Sequence, residues 1–433
     1  MGFSVVIDQN NTIVSSSEPA IVNDGIVMFF SGVVYNEEYI KSTHRITAHS
    51  TAEMFLEILK SHADIPSIIS KINGIFSLVI VDDTTKTIVA FRDRNGLGSL
   101  RYSFDINNSI TFRDSVFNGN NYMPIQEVPP GQILIFLCGE VVNKITYNDY
   151  EKQGNYWLDI RDKYLVTKYR SKFKTVVPQL SHLNTDQIIE NSPLLLETTN
   201  YPEKVEMFKF LQCVRAFEQS EYEKLNSLLR RAVSVITSFV KDEIYVFLNN
   251  DVSTICLVHI LKSIKARFKT FSVHKEFEEA IPPRASIVFD TDHTKIFYDP
   301  VTIMYEIGQY TEIENGENII PTFVFCKHIG TLSECPQAIL PTLANELFSK
   351  PTNRLSMIIS KPVLETSVCT EKFNVQVHYP YADIHVVKFA LFLNAGYKNY
   401  MGKTQSRCVL KIVASHEIED KELIDIIFSD RVV

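Results

Sequence analysis

Short strand-like runs separated by turn residues fill the first third of the chain, and this pattern constrains the fold more than any other feature. The runs are rich in β-branched and aromatic residues, and they occupy residues 26–35, 75–81, 87–91, 109–112 and 132–136. Turn formers such as Asn73-Gly74 and Asn95-Gly96 bound them. Between the runs, residues 50–62 place apolar side chains at helical spacing. We therefore predict that residues 1–145 form a sheet-dominated α+β domain.

The periodicity changes after a polar connecting segment at 146–205. Helical patterns are predicted at residues 207–218, 221–240 and 254–265, with short buried strands at 244–248 and 268–273. A strand, a helix and a second strand within thirty residues predict a βαβ unit, with ligand at the carboxyl edge of a parallel sheet. We therefore predict an α/β domain at 206–433, mostly helical after residue 273.

Charge and composition exclude several classes of function. The formal net charge is −8 and no Lys/Arg cluster offsets it, so we expect no nucleic-acid partner. The longest apolar runs are too short to cross a bilayer, and no basic-then-apolar leader opens the chain, so we expect no membrane partner and no secretion. Seven cysteines without a Cys-x-x-Cys pair predict reduced, buried thiols in a cytoplasmic protein. The eleven histidines lack zinc-site spacing, so we expect no metal.

Five short islands occur in the same order as in a known family. They are residues 31–38 (SGVVYNEE), 73–77 (NGIFS), 92–100 (RDRNGLGSL), 128–131 (VPPG) and 379–383 (YPYAD). Together they resemble the glutamine-dependent asparagine synthetase family, of which this chain resembles a degenerate member. The resemblance implies an N-terminal Ntn-hydrolase-like αββα sandwich at 1–145. It also implies an adenine-nucleotide α-hydrolase-like parallel-sheet domain of the PP-loop type at 206–433.

The residues that carry glutaminase chemistry in that family are replaced here. The family nucleophile is an N-terminal cysteine exposed by removal of Met1, but position 2 is Gly2. The oxyanion-binding Asn is Ser31, although the neighbouring Gly32 is kept. The following Glu is Val33, and an Asp that binds the substrate amine aligns with Thr51. We therefore expect a vestigial glutamine site that releases no ammonia.

The phosphate loop of the synthetase half is also altered. Both family glycines are replaced, by Asn249 and Asn250, while Ser253 is kept and Asp251 offers an acid one residue out of register. The larger side chains would crowd a phosphate that approaches the backbone. Another interpretation is that Asp251 and Ser253 only cap the helix predicted at 254–265.

The second acidic loop of the family is reduced in the same way. Its Asp is Asn345 here, and Glu346 survives without the glycines and the first Glu of that loop. Loss of a carboxylate matters at a magnesium site, because few protein carboxylates hold that ion. Asn249, Asn250, Asp251, Ser253, Asn345 and Glu346 therefore define a vestigial ATP site.

Two interpretations of function stay open. In the first, the chain is a catalytically inactive asparagine synthetase-like protein that needs no cofactor. It would act as a binding or structural subunit, with a protein partner or a second copy. The connecting segment, with Tyr156 and Trp157, is a candidate for part of the binding surface, although Trp157 would also fit a core position. In the second, the chain is a divergent ATP- and magnesium-dependent amide or lactam synthetase that does not use glutamine.

Overall fold

The computed structural model describes the two predicted domains and leaves out the segment between them. The described residues are 3–10, 12–17, 19–60, 64–115, 125–137, 140–148, 222–248, 251–276, 283–308, 316–342, 344–349, 366–392, 418–421 and 423. The helix predicted at 207–218 and the aromatic pair Tyr156 and Trp157 lie outside the described residues.

Two antiparallel sheets form the amino-terminal half. Their strands are β1 (Ser4–Ile7), β2 (Ile13–Ser16), β3 (Ile21–Asn23), β4 (Ile26–Val34), β5 (Gly74–Asp82), β6 (Thr87–Arg92), β7 (Arg101–Phe104), β8 (Ile110–Arg113), β9 (Gln126–Glu127), β10 (Gln132–Leu137) and β11 (Glu140–Thr146). The central sheet has the order β11-β10-β6-β5-β4-β3, and the outer sheet has the order β2-β1-β8-β7-β9. The strands predicted from the sequence correspond to β4, β5, β6, β8 and β10.

Strand β5 shows why the central sheet is buried on both faces. Its side chains alternate between the faces, as in any strand. Leu78 and Ile80 pack into a cluster with the helices α1 (Glu37–His44), α2 (Thr51–Lys60) and α3 (Ile65–Ile69). Val79 and Val81 pack against the outer sheet instead. The described part of this half therefore stacks as helices, central sheet and outer sheet, which are three of the four layers of an αββα sandwich.

Helix α2 begins where its sequence provides a capping box. Ser50 Oγ accepts the Glu53 backbone N–H at 3.2 Å, and Glu53 Oε2 accepts the Ser50 backbone N–H at 3.2 Å. This reciprocal pair satisfies two backbone donors that have no partner within the helix. The helix predicted at 50–62 is thereby confirmed, with its first helical residue at Thr51.

A parallel sheet forms the carboxyl-terminal half. Its elements are α4 (residues 222–239), β12 (Ile244–Phe247), α5 (Val252–Ser263), β13 (Phe268–Lys275), α6 (Arg284–Val288), β14 (His293–Tyr298), α7 (Pro300–Ile307), α8 (Gly316–Ile329), β15 (Gln337–Ile339), α9 (Ala344–Ser349), α10 (residues 366–372), β16 (Gln376–His378) and α11 (Ile384–Phe392). The strand order is β14-β13-β12-β15-β16, and every neighbouring pair is parallel. The predicted βαβ unit is β12-α5-β13.

The prediction of a mostly helical chain after residue 273 holds for most of the described elements there, but it misses the strands β14, β15 and β16, which also belong to the parallel sheet. Strand β14 lies at the sheet edge, where only Ile296 among its six residues is buried. Strands β15 and β16 have three residues each. Strands this short, or this polar, lack the run of apolar residues by which a sequence indicates a strand.

Substituting Gly32 tests the close contact between β4 and β5. Gly32 has φ +120°, and a Cβ built there would lie 2.0 Å from the Ile75 carbonyl oxygen. We expect Gly32→Ala to lower the free energy of unfolding by about 3 kcal/mol or more, measured by chemical denaturation. Gly308→Ala is the control, because its nearest contact is 3.2 Å away at a helix end. Equal losses in the two variants would contradict this account.

Candidate functional site

A cleft of about 680 Å³ lies between the two halves. One wall is formed by the end of β4, the start of β5 and the loop after β6, with the residues that follow β8. The opposite wall is formed by α10, by β16 and by Phe239 at the end of α4. The volume of the cleft lies within the roughly 300–1,000 Å³ typical of small-molecule pockets. The cleft is therefore the candidate functional site.

Three of the sequence islands meet beside this cleft. Asn73 Nδ2 donates to Asp383 Oδ2 at 2.8 Å, and Asn95 Nδ2 donates to the Ala382 carbonyl oxygen at 2.6 Å. The islands at 73–77 and 92–100 belong to the amino-terminal half, and the island at 379–383 belongs to the other half. These motifs therefore hold the two halves together.

The carboxylate of Asp93 shapes the island at 92–100. Asp93 Oδ1 accepts the backbone N–H groups of Asn95 at 3.0 Å and Leu97 at 3.2 Å, and Oδ2 accepts that of Gly98 at 2.6 Å. Burial raises the pKa of Asp93, and these three hydrogen bonds act in the opposite direction. The loop is thereby fixed so that the Asn95 amide points at the other half.

A buried histidine links the two halves through its neutral imidazole. His378 is fully buried, and burial lowers its pKa to about 4. Its Nδ1 lies 2.8 Å from Tyr35 Oη, and its Nε2 lies 2.9 Å from Gln337 Oε1. An amide oxygen can only accept, so Nε2 carries the proton and Nδ1 accepts the Tyr35 hydroxyl proton. Because the imidazole is neutral, His378 brings no positive charge to this wall of the cleft.

The structure brings Ser31, Gly32 and Val33 together along the amino-terminal wall of the cleft. Retention of Gly32 has a packing explanation, because any side chain at this position would collide with the Ile75 carbonyl. The pairing of β4 with β5 therefore requires a glycine at position 32, whether or not the Gly32 N–H binds an oxyanion.

Asp114 is a cleft residue that the sequence analysis missed. Its Oδ1 accepts the Phe3 backbone N–H at 2.6 Å, and its carboxylate also accepts the Ser31 hydroxyl. The side chain is 9% exposed, and burial raises its pKa to about 6, an effect that these hydrogen bonds only partly offset. The sequence signal that could have found Asp114 is the alternation of buried side chains along β8. Ile110 and Phe112 are buried, and residue 114 follows on the same face.

The structure describes only one of the other two predicted glutamine-site residues. Thr51 lies at the start of α2 and donates its hydroxyl to Glu37 Oε2 at 2.5 Å, and it is not among the described residues that line the cleft. Gly2 lies outside the described residues. The predicted glutamine site is therefore only partly assembled in the described structure.

The predicted capping role of Asp251 is wrong in its detail. Helix α5 begins at Val252, two residues earlier than predicted, with Asp251 at the N-cap position and no side-chain cap hydrogen bond. The Asp251 carboxylate instead accepts the Ser253 hydroxyl. The Ser253 carbonyl accepts the hydroxyl of the fully buried Tyr381 at 2.8 Å. This contact ties the first turn of α5 to the island at 379–383.

The remaining residues of the predicted ATP site are described in part or not at all. Asn249 and Asn250 lie outside the described residues. Asn345 and Glu346 lie in α9, for which the structure describes the backbone at these two positions but not their side chains. Asp251 and Ser253 are thus the only members of the set whose side-chain contacts are described.

Within the described residues, no group of three or more His, Cys, Asp or Glu side chains could hold a metal ion. Cys256, Cys326 and Cys369 are reduced thiols and are buried, as predicted. Cys335 is exposed and lines the cleft, so the prediction of buried thiols is wrong at this position. No described helix is long and apolar enough to span a bilayer.

Comparisons with known proteins relate part of this chain to one domain family and to one enzyme. Residues 7–116 match the glutamine amidotransferase domain family. A probable glutamine-hydrolysing asparagine synthetase from Schizosaccharomyces pombe is 28% identical over 95 residues. That match covers 21% of this chain and 17% of the relative's length. The amino-terminal half is thus similar to a glutamine amidotransferase domain.

Three solved structures show weak similarity to this chain. Glutamine phosphoribosylpyrophosphate amidotransferase from B. subtilis, complexed with ADP and GMP, is 12% identical with a TM-score of 0.28, over 62% of this chain and 59% of that one. A class-II glutamine aminotransferase domain protein from Silicibacter pomeroyi is 12% identical with a TM-score of 0.23, over 30% and 70%. NAD+ synthetase from Burkholderia pseudomallei is 8% identical with a TM-score of 0.20, over 49% and 92%. Likenesses at this level carry no inference about activity.

The pH dependence of stability tests the neutral state of His378. Between pH 7.5 and 5.0 the unfolded chain, with a histidine pKa near 6.5, gains a proton that folded His378 does not take up. Stability is therefore lost as the pH falls, by about 2 kcal/mol over this interval. We expect His378→Gln to remove this contribution, measured as the difference between the free energies of unfolding at the two pH values.

Asp114 provides a control for this experiment, because its effect on the pH dependence of stability has the opposite sign. Its raised pKa lets the folded state bind a proton before the unfolded state, so its contribution to stability falls as the pH rises through about 6. Asp114→Asn should therefore change the pH dependence in the direction opposite to His378→Gln. If both variants kept the wild-type pH dependence, the assigned protonation states would be wrong.

Proposed function

We propose that this chain is an asparagine synthetase-like protein without catalytic activity that acts as a binding or structural subunit of a larger cytoplasmic assembly. Its amino-terminal half would derive from an Ntn-hydrolase-like αββα sandwich, and its carboxyl-terminal half from a PP-loop-type nucleotide domain. Similarity of residues 7–116 to the glutamine amidotransferase domain supports the first of these origins.

The contact between Ser31 and Asp114 is the observation that favours an inactive glutaminase half. Ser31 stands where the family places the oxyanion-binding Asn, and its hydroxyl donates to the Asp114 carboxylate. An oxyanion site needs donors directed at the position where negative charge develops. Here the donor is directed at a carboxylate, whose charge would repel an oxyanion formed beside it.

A binding role is supported by what the chain keeps. The residues that join the halves, such as Asn73, Asn95 and Asp383, retain their hydrogen bonds. The cores of both halves are filled by buried apolar side chains. A chain that has lost its chemistry and keeps its packing is under some demand other than catalysis. A stable protein interface, with roughly 1,200–2,000 Å² buried, is one such demand.

We expect the purified protein to release no ammonia from glutamine, as measured by a coupled glutamate dehydrogenase assay. Gly2→Cys should not restore activity, because the Asp114 charge and the replaced residues Ser31, Val33 and Thr51 are unchanged. The double variant Gly2→Cys, Ser31→Asn is the stricter test, since it restores two family residues at once. Turnover by the wild-type protein that is lost in a cleft variant such as Asp114→Asn would refute the proposal.

The second candidate function is an ATP- and magnesium-dependent amide or lactam synthetase. The observation in its favour is the position of Asp251 and Ser253 at the start of α5, directly after the central strand β12. Ligands in parallel α/β sheets bind at this edge. Against it, the Asp251 carboxylate already accepts the Ser253 hydroxyl, which joins two groups that a magnesium–phosphate site would use.

Thermal denaturation with Mg·ATP separates the two candidates. A ligand present at its Kd stabilises a protein by only about 0.4 kcal/mol, so weak residual binding would change the melting temperature little. We expect 1 mM Mg·ATP to shift the melting temperature by about 1 °C or less, and Asp251→Ala to leave that result unchanged. A shift of many degrees that Asp251→Ala abolishes would favour the synthetase.

A further inference from the structure

We propose that a basic cluster at the contact between the two halves binds a doubly charged tetrahedral oxyanion, of the kind that inorganic phosphate and phosphate esters present. The cluster consists of Arg94, Arg231, His385 and Lys388. These positions are far apart in the sequence, so no run of basic residues indicates them. The inference rests on this cluster alone and holds whether or not the chain has a protein partner.

The members from the carboxyl-terminal half lie side by side on two helices. Arg231 is exposed on α4, and its Nη2 donates to His385 Nε2 on α11 at 3.3 Å. Lys388 follows His385 by three residues on α11, so these two side chains lie on one face of that helix. A ligand that approaches Arg231 from solvent therefore meets the other two side chains as well.

Arg94 approaches this face from the amino-terminal half. Its Nη2 donates to the Ile72 carbonyl oxygen at 2.7 Å, and the next residue, Asn73, donates to Asp383 Oδ2 at 2.8 Å. Asp383 directly precedes α11, and its Oδ1 accepts the His385 backbone N–H at 2.8 Å. The Arg94 charge acts on His385 at this point of the contact. The cluster thus spans the contact between the halves.

The positive charge of this cluster is only partly compensated. Within the described residues, neither Arg231 nor Lys388 forms an ion pair with a carboxylate. Lys388 is partly buried, and burial lowers its pKa, an effect to which the Arg94 charge adds. Asp383 brings one negative charge, and both of its oxygens already accept other hydrogen bonds. Because a buried charge is costly without a counter-charge, a bound anion would relieve this imbalance.

The donors of the cluster select a multivalent oxyanion. Guanidinium and ammonium groups bind phosphate-type oxygens through charge-assisted hydrogen bonds, and a guanidinium can donate to two such oxygens at once. Arg231 and Lys388 supply one group of each kind on the same surface. An anion with a single charge would neutralise only one of them, so we expect chloride and acetate to bind more weakly than a dianion.

His385 makes this binding dependent on pH. Burial lowers the pKa of His385, the charges of Arg231, Lys388 and Arg94 act in the same direction, and Asp383 opposes them. Arginine can only donate, so His385 Nε2 accepts from Arg231 and carries no proton in the absence of a ligand. A bound dianion favours protonation of this nitrogen, which then becomes a further donor to the anion. By linkage, binding tightens as the pH falls.

Thermal denaturation of the full chain in a series of sulfate concentrations, at constant ionic strength, tests the inference. Sulfate is the probe because its charge does not change between pH 6.0 and 8.0. We expect a saturable rise in the melting temperature with a Kd in the millimolar range. Arg231→Gln and Lys388→Gln should each weaken binding about tenfold. Lys144→Gln, which removes an exposed charge on β11, should leave the Kd unchanged.

The pH dependence and the choice of anion sharpen this test. We expect the Kd for sulfate to be about threefold lower at pH 6.0 than at pH 8.0. His385→Gln should abolish that difference while sulfate still binds at pH 8.0. Inorganic phosphate and glycerol 3-phosphate, compared at pH 8.0, show whether the free ion or the ester binds more tightly.

Arg231→Gln and Lys388→Gln are independent tests, so the result stands if one of them fails to fold. A melting temperature that rises only linearly with sulfate, without saturation, would overturn the inference. Saturable binding with the wild-type Kd in both variants would place the anion elsewhere and overturn it as well. A pH dependence that survives His385→Gln would contradict the role of this histidine. Ammonia release from glutamine would refute the proposed function without affecting this result.

Discussion

Buried and partly buried hydrogen bonds between the two halves are the contacts on which the rest of the molecule depends. Tyr35 donates to neutral His378, and the amides of Asn73 and Asn95 reach Asp383 and the Ala382 carbonyl. A buried polar group that loses its partner costs about 1–3 kcal/mol, so each contact penalises separation of the halves. These contacts help to fix the two walls of the cleft opposite each other. The sequence islands that resemble asparagine synthetases are, in large part, the islands that make these contacts.

The charge beside Ser31 is opposite to the charge that an oxyanion site of a glutaminase presents. A glutaminase stabilises a developing negative charge beside the scissile amide. Here Ser31 donates to Asp114, and Glu371 adds a second carboxylate from the other half. A negative charge formed beside Ser31 would therefore meet the Asp114 carboxylate.

Much of the fold could be predicted from the sequence, because apolar periodicity and turn residues report directly on burial. Strand β5 and helix α2 are examples, and the Ser50–Glu53 capping box marks where α2 begins. Edge strand β14 was missed because only Ile296 among its residues is buried. Asp114 was missed because it lies outside the islands, and its role depends on Phe3 and Ser31, which are distant in sequence. The alternation in β8 indicates that residue 114 is buried, but it does not indicate these two partners.

The central claim is that the chain works by binding rather than by catalysis. Its most direct test is purification of the tagged full-length protein from its native cell, followed by size-exclusion chromatography with light scattering. The account predicts a complex of defined mass that contains either a second copy of the chain or one stoichiometric protein partner, with no glutaminase activity in the peak. A lone monomer that hydrolyses glutamine, or that forms an amide bond at the expense of ATP, would contradict it.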